Sequence, residues 1–153
     1  MRLPCPTAAV LLACTVLGAG CGGDAEEKNA YVEDVQAAQR TFVTRFEQVR
    51  KRLTTTSTLA QDQATLEDFQ TITERFATTL EKVQPPNEVR TEHGRLVAVI
   101  AGYGADVGRA RMRLRTASTE DRTIVRTELS SAVAGTQEKI AKAVGDINAA
   151  LRD

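Results

Sequence analysis

Apolar residues recur along most of this chain at intervals of three and four positions. That spacing places them on one face of an α-helix. The pattern occurs in four long stretches, which are separated by short runs that do not favour helix. No stretch shows the alternation of apolar and polar residues that is typical of a half-buried strand. The chain is therefore predicted to be all-α, with four amphipathic helices.

The first two predicted helices have clear ends. The first begins near Asn29 and ends before residues 54–58, because that hydroxyl-rich, β-branched run disfavours helix. Its apolar positions are Tyr31, Val35, Ala38, Phe42, Phe46, Val49 and Leu53. The second extends from Leu59 to Val83 and is stopped by Pro85–Pro86. Its apolar positions are Leu66, Phe69, Ile72, Phe76, Leu80 and Val83.

The third and fourth helices continue the same pattern. The third is predicted from Glu88 to Arg115, and Asn87 is placed to cap it. Its apolar face carries Val89, His93, Leu96, Ile100, Tyr103, Val107, Ala110 and Leu114. The fourth begins after Ser118, which resembles a capping partner of Asp121 three residues later. Its stripe consists of Val125, Leu129, Val133, Thr136, Ile140, Val144, Ile147 and Leu151.

Four helices of similar length joined by short connections favour an antiparallel up-down-up-down four-helix bundle. The heptad-like spacing favours shallow crossing angles between the helices. An alternative is a pair of helical hairpins that completes its core only by dimerising. The chain is long enough to bury a core by itself, so a self-contained bundle over residues 29–153 is the preferred prediction.

Composition and charge narrow the functional class. The chain has 153 residues, of which 42% are hydrophobic and 26% charged, as in a single soluble globular domain. Twenty Lys and Arg residues oppose twenty Asp and Glu residues, so there is no basic footprint for nucleic acid. Aromatic residues are scarce and Trp is absent, so the core must be built from Leu, Ile, Val and Ala with a few Phe.

The first twenty residues have a different character from the rest. Arg2 precedes an apolar run at residues 8–17, and the small residues Gly18-Ala19-Gly20 follow it. This is the pattern of a short secretory signal, with too few apolar residues to span a bilayer. Residues 1–20 are therefore interpreted as a signal peptide.

The signal ends in LGAGC at residues 17–21, which resembles the lipobox of bacterial lipoproteins. In that family a Cys after small residues is diacylated and becomes the mature N-terminus. The family prefers Leu three residues before the Cys, whereas Gly18 holds that place here. The sequence LLAC at residues 11–14 matches the lipobox better than residues 18–21 do. It would leave a shorter hydrophobic region before the Cys than is usual. Cys21 is the predicted lipidation site and Cys14 the alternative, and a plain secretory peptide that leaves Cys21 free is a third possibility.

The resemblance implies a location. Acyl chains on Cys21 would hold the mature chain on the extracytoplasmic face of the cell membrane. The start CGGD at residues 21–24 and the Ala-, Thr- and Arg-rich composition look like those of uncharacterised envelope lipoproteins of actinobacteria. Residues 21–28 are predicted to form a flexible, polar tether. Cys21 would be the only Cys of the mature chain, so no internal disulfide could form.

The third helix is unusually rich in Gly, and this needs an explanation. Each interior Gly costs a helix about 1 kcal/mol relative to Ala. The positions are Gly94, Gly102, Gly104 and Gly108. Close packing of this helix against the small residues of the fourth helix would offset the cost. A sharper alternative is a gap for a small ligand, or a surface where another helix docks, near Gly102, Gly104 and Gly108.

Cations gather at the end of the predicted bundle that is remote from Cys21. The third helix contributes Arg109, Arg111, Arg113 and Arg115. Ordinary helix-end electrostatics accounts for cations at a helix C-terminus. The functional alternative is a basic tip that binds an anionic wall polymer or an envelope protein. The opposite end is richer in acidic residues and is expected to stand off from anionic lipid on its tether.

His93 is the only His, and it lies on the apolar face of the third helix. It is expected to be partly buried, with a hydrogen-bond partner at the end of the bundle. A di-iron site needs two Glu-x-x-His pairs, and zinc needs more ligands than one His supplies. No cofactor or metal is expected. The preferred function is a non-enzymatic interaction or scaffold module, the alternatives being a small-ligand carrier and an envelope enzyme that uses His93.

Overall fold

The structure, a computed structural model, describes residues 23–52, 54 and 57–152. The described part of the chain is all-helical and contains no strand, which confirms the predicted fold class. The helices are α1 (Gly23–Arg50), α2 (Leu59–Glu81), a short 3₁₀ helix (Asn87–Val89), α3 (Arg90–Leu114) and α4 (Thr119–Ala150). The predicted signal peptide, Cys14 and Cys21 lie outside the described residues.

The helix boundaries differ from the sequence prediction at two points. Helix α1 begins at Gly23, so residues 23–28 of the predicted tether are helical. Glu26 and Glu27 lie near the start of this helix, where carboxylates suit the positive end of the helix dipole. Asn87 does not cap α3 with its side chain. It begins the 3₁₀ helix instead, and its Oδ1 accepts a hydrogen bond from Arg90.

Two capping boxes fix the starts of α2 and α4. The Ser118 hydroxyl accepts the backbone N–H of Asp121, and the Asp121 carboxylate accepts the backbone N–H of Ser118, as the sequence predicts. The hydrogen bonds from the Ser118 side chain and backbone lower the pKa of Asp121. Thr58 and Gln61 make the equivalent pair at α2. Both pairs satisfy backbone donors that a helix start otherwise leaves without a partner.

Two hydrophobic clusters form the interior, and both draw on all four helices. The first cluster joins the beginnings of α1 and α3 to the ends of α2 and α4. Its buried members are Tyr31, Val32, Val35, Ala38, Ala77, Leu80, Val83, Val89, Leu96, Ile100, Ala143, Val144 and Ile147. The second cluster joins the opposite helix ends, and its buried members are Val49, Leu66, Phe69, Ile72, Tyr103, Val107, Leu114 and Val125.

A row of four Phe side chains connects the two clusters across the interface between α1 and α2. Phe42 stacks on Phe76 with ring centroids 4.6 Å apart, and Phe46 lies 5.0 Å from Phe69. Phe42 and Phe46 also contact each other, at 5.5 Å. Phe76 packs against the first cluster, whereas Phe42 and Phe46 pack against the second. Because aromatic pairs add stabilisation beyond the area they bury, this row couples the two halves of the interior.

Candidate functional site

His93 lies inside the first cluster and joins three helices. Its side chain is 6% exposed. The ring Nε2 is 3.0 Å from the Leu80 carbonyl oxygen of α2, and Nδ1 is 3.1 Å from the Tyr31 hydroxyl of α1. A carbonyl oxygen only accepts, so Nε2 carries the proton and Nδ1 accepts from Tyr31. The expected hydrogen-bonded, buried position of His93 is thereby confirmed.

The surroundings of His93 favour the neutral imidazole. Burial lowers its pKa below 6.5, against the opposing effect of the Leu80 carbonyl, which raises it. The Tyr31 ring packs edge-on to the imidazole, with centroids 5.6 Å apart. Both ring nitrogens are therefore occupied by protein atoms within the core. The two hydrogen bonds of His93 therefore link α1 and the end of α2 to α3.

The glycines of α3 do not form one site. A Cβ on Gly104 would lie 3.6 Å from Thr73, and one on Gly108 would lie 3.3 Å from the Gln70 amide. Thr73 and Gln70 both belong to α2. The lack of a side chain at these two glycines therefore lets α2 pack closely against α3. The prediction that they allow a close approach of α3 to α4 is wrong. The apolar stripe of one helix does not tell which neighbour its small residues face.

Gly102 is on the exposed surface, where an added Cβ would meet nothing within 4 Å. Gly104 and Gly108 instead lie against side chains of α2. Two open depressions lie elsewhere on the described surface. One of about 240 Å³ is lined by Arg113, Thr116, Ala117, Asp121 and Val125. The other, of about 340 Å³, is lined by Arg40, Thr41, Thr44 and Arg45 of α1.

The arginines predicted to form a basic tip are mostly paired with carboxylates. Arg109 pairs with Asp106 on its own helix. Arg111 is 3.4 Å from Glu67 of α2. Arg113 pairs with Glu128 of α4, and Arg115 is exposed at the end of α3. The sequence places these cations at one end, together with acidic residues such as Glu67 that partly cancel them. It does not predict the individual pairs, because two of the three carboxylates come from other helices.

Neighbouring cations at the same end are paired too. Arg50 is 2.8 Å from Glu47 within α1. Arg52, just beyond α1, pairs with Asp68 of α2. The end is therefore a mixed-charge surface in which exposed cations lie beside exposed carboxylates. Such exposed pairs contribute about 0–1 kcal/mol each to stability. They also reduce the local positive potential that a bound polyanion would require.

One ion pair at this end has a buried carboxylate, a feature that the sequence does not predict. The Asp62 side chain is 1% exposed, and its Oδ2 accepts from Arg122 Nη2 at 2.9 Å. The Ser57 hydroxyl donates to Asp62 Oδ1 at 2.6 Å, and the same Arg122 nitrogen reaches the Ser57 carbonyl at 3.0 Å. This network joins the start of α4 to the loop before α2. Asp is common in the first turn of a helix, so the sequence gives no sign that Asp62 is buried.

The opposite end of the molecule carries a polar link between its first and last helices. Lys28 Nζ donates to the Leu151 carbonyl at 3.2 Å, and it lies 4.0 Å from Glu88 of the 3₁₀ helix. The Lys28 side chain is only 21% exposed. This link gives a free carbonyl at the end of α4 a charged donor, and it fixes the first turns of α1 against the end of α4.

Within residues 23–52, 54 and 57–152, no group of three or more His, Cys, Asp and Glu side chains could hold a metal ion. Over the same residues, no helix combines the length and apolarity that a membrane span requires. The chain matches no protein-family model, no curated protein and no solved structure.

Proposed function

We propose that this protein is an extracytoplasmic lipoprotein, anchored to the cell membrane through Cys21, which presents a non-enzymatic helical domain as an interaction or scaffold module. The observation that carries the proposal is the apolar run at residues 8–17 with its small residues and Cys21, placed directly before a helical domain. A secretory signal followed by a Cys and a self-sufficient domain is the arrangement that lipid anchoring requires.

The proposed domain is an antiparallel up-down-up-down four-helix bundle. The membership of both hydrophobic clusters supports this topology, because each joins the beginning of one helix to the end of the next. The contacts of Lys28 with Leu151 and of Tyr31 with His93 agree with it at one end. The contacts of Arg113 with Glu128 and of Asp62 with Arg122 agree with it at the other.

A scaffold role is favoured over a catalytic one by the state of the chemically versatile groups. His93 has both nitrogens bonded inside the core. The buried carboxylate, Asp62, is neutralised by Arg122 and bonded to Ser57. The hydrogen bonds of both groups go to protein partners and stabilise the fold. The partner is proposed to be another envelope protein, since the paired arginines reduce the attraction of an anionic wall polymer.

Fractionation of cells that express matched cysteine variants tests this proposal. The wild type and Cys14→Ala are expected in the membrane fraction, released by detergent but not by high salt. Cys21→Ala is expected to leave that fraction, because it has no thiol for the acyl group and no helix in the described part of the chain is apolar enough to span a bilayer. Equal membrane retention of Cys21→Ala and the wild type would contradict anchoring at Cys21. Loss of retention in Cys14→Ala alone would move the anchor to Cys14.

A further inference from the structure

The helical domain begins almost immediately after the proposed anchor. Helix α1 starts at Gly23, so two peptide units separate its first residue from Cys21. Consecutive α-carbons are about 3.8 Å apart, which limits the separation of these two residues to about 7.6 Å. If Cys21 is acylated, as proposed above, the first turn of α1 therefore lies close to the lipid headgroups.

The first turns of α1 are fixed to the rest of one end of the molecule. Lys28 bonds the Leu151 carbonyl at the end of α4 and lies 4.0 Å from Glu88. Tyr31, less than one turn further along α1, bonds His93, which in turn bonds the end of α2. We call residues 25–28, 81–90 and 151–152 the proximal end. Because these segments are bonded together, anchoring α1 brings the whole proximal end to the membrane surface.

The charges of the proximal end are mixed. Its charged side chains are four acidic and four basic: Glu26, Glu27, Glu81, Glu88, Lys28, Lys82, Arg90 and Arg152. In the sequence, Asp24 and Asp153 border these segments and add two acidic residues. Because basic residues of α1, α3 and the loop after α2 offset most of the acidic ones, the repulsion from anionic lipid is small beside the binding of the acyl chains.

The sides of the molecule give it little reason to lie flat on the membrane. Among the described residues, the exposed large hydrophobic side chains are Val43, Met112 and Ile124, one each on α1, α3 and α4. A helix that lies in the interface needs a continuous apolar face, and these three residues do not form one. Helix α1 has 28 residues and is about 42 Å long at about 1.5 Å per residue.

We propose that the proximal end rests directly against the phospholipid headgroups and that the helices project from the membrane without a flexible stalk. The opposite end, with the paired arginines, then lies about 40 Å from the membrane at the rise of an α-helix. The contacting partner of the proximal end is the lipid surface itself. This inference depends on the proposed acylation of Cys21.

Fluorophores at the two ends of the intact lipoprotein test the orientation. Gln84→Cys places a label in the exposed loop of the proximal end, and Met112→Cys places one on the exposed last turn of α3. The acylated Cys21 does not react with the label. Each protein is purified as the full lipoprotein and reconstituted into vesicles of phosphatidylethanolamine and phosphatidylglycerol that carry a headgroup quencher. The Gln84 label is expected to be quenched several times more strongly than the Met112 label.

A linker insertion provides the control. About twenty Gly and Ser residues inserted between Gly22 and Gly23 form a flexible coil, which should reduce quenching at Gln84 to the level of Met112. Equal quenching of the two labels without the linker, in protein whose Cys21 carries lipid by mass spectrometry, would overturn the orientation and leave the anchor standing. Protein without lipid on Cys21 would overturn both the orientation and the proposed function.

Discussion

Among single residues, two buried polar side chains, His93 and Asp62, link helices through hydrogen bonds. His93 joins α1, α2 and α3, and Asp62 joins α4 to the loop before α2. Each has its hydrogen-bonding atoms supplied by protein partners, which is the condition under which burial of a polar group is tolerated. These two residues carry the sharpest predictions about stability.

Because His93 is buried, the protein is expected to lose stability in mild acid. Burial lowers the pKa of His93 below its usual 6.5, so the unfolded chain takes up a proton at a pH where the folded chain does not. The free energy of unfolding should therefore decrease as the pH falls below about 6.5, and His93 should add no slope above that pH. Urea unfolding followed by circular dichroism at a series of pH values measures this slope.

The matched variant for this prediction is His93→Gln, which removes the only imidazole of the chain. Its free energy of unfolding should be lower than that of the wild type at neutral pH, with the decrease below pH of about 6.5 absent. A variant that keeps the wild-type slope would show that His93 is not responsible.

The buried Asp62 predicts a large difference between two ion pairs. Asp62→Ala removes a carboxylate that is 1% exposed and accepts from both Arg122 and Ser57, so a cost of about 2–3 kcal/mol is expected. Asp68→Ala breaks the exposed pair with Arg52, and its expected cost is about 0–1 kcal/mol. Urea unfolding of the two variants compares them directly. Similar costs would mean that Asp62 is not held as a buried pair.

Among the helices, α3 has glycines of two kinds: some lie against a neighbouring helix and others face open space. Gly104 and Gly108 lie against α2, whereas Gly102 has open space where a Cβ would be. The cost of Gly in a helix interior is about 1 kcal/mol relative to Ala. That cost is useful only where a neighbouring helix occupies the vacant volume, so the effect of adding a methyl group should depend on the position.

Gly102→Ala is expected to stabilise the protein by about 1 kcal/mol, because it removes the propensity cost and meets no other atom. Gly108→Ala should gain less, because its Cβ would lie 3.3 Å from the Gln70 amide, which is bonded to Glu74 and would have to move. Midpoints of urea unfolding rank the two variants against the wild type. An equal gain from both would contradict the close approach of α2 at Gly108.

The sequence predicts the elements well and their partners poorly. The three- and four-residue spacing locates all four helices, and the pairing of Ser118 with Asp121 locates the start of α4, because both signals are local. The start of α1 differs from the prediction, because the polar composition of residues 21–28 indicates a flexible tether whereas the helix begins at Gly23. The neighbour of Gly104 and Gly108 and the partner of Arg113 depend on which helices become adjacent. Such information is not contained in the pattern of one helix.

At the scale of the whole molecule, two hydrophobic clusters joined by a row of Phe side chains should behave as one cooperative unit. The two Tyr residues report on the clusters separately, since Tyr31 lies in the first and Tyr103 in the second. Burial, with the nearby Asp106 as the second cause, raises the pKa of Tyr103 to about 12. The absence of Trp leaves Tyr emission as the fluorescence signal.

Single-tyrosine variants are expected to show coincident unfolding of the two clusters. In Tyr31→Phe the emission reports on the second cluster, and in Tyr103→Phe on the first. Within each variant, the urea midpoint by Tyr fluorescence should equal that by far-ultraviolet circular dichroism, as two-state unfolding requires. Adding Phe42→Ala removes the stack on Phe76 and should lower both midpoints. Midpoints that differ within one variant would show that the clusters unfold independently.

We propose that an acyl group on Cys21 holds a self-sufficient helical domain at the outer surface of the cell membrane. Mass spectrometry of the N-terminal peptide from membrane-extracted protein tests it most directly. The account predicts a mature chain that begins at Cys21 and carries a thioether-linked diacylglyceryl group. An unmodified Cys21, or a lipid found on Cys14, would contradict it.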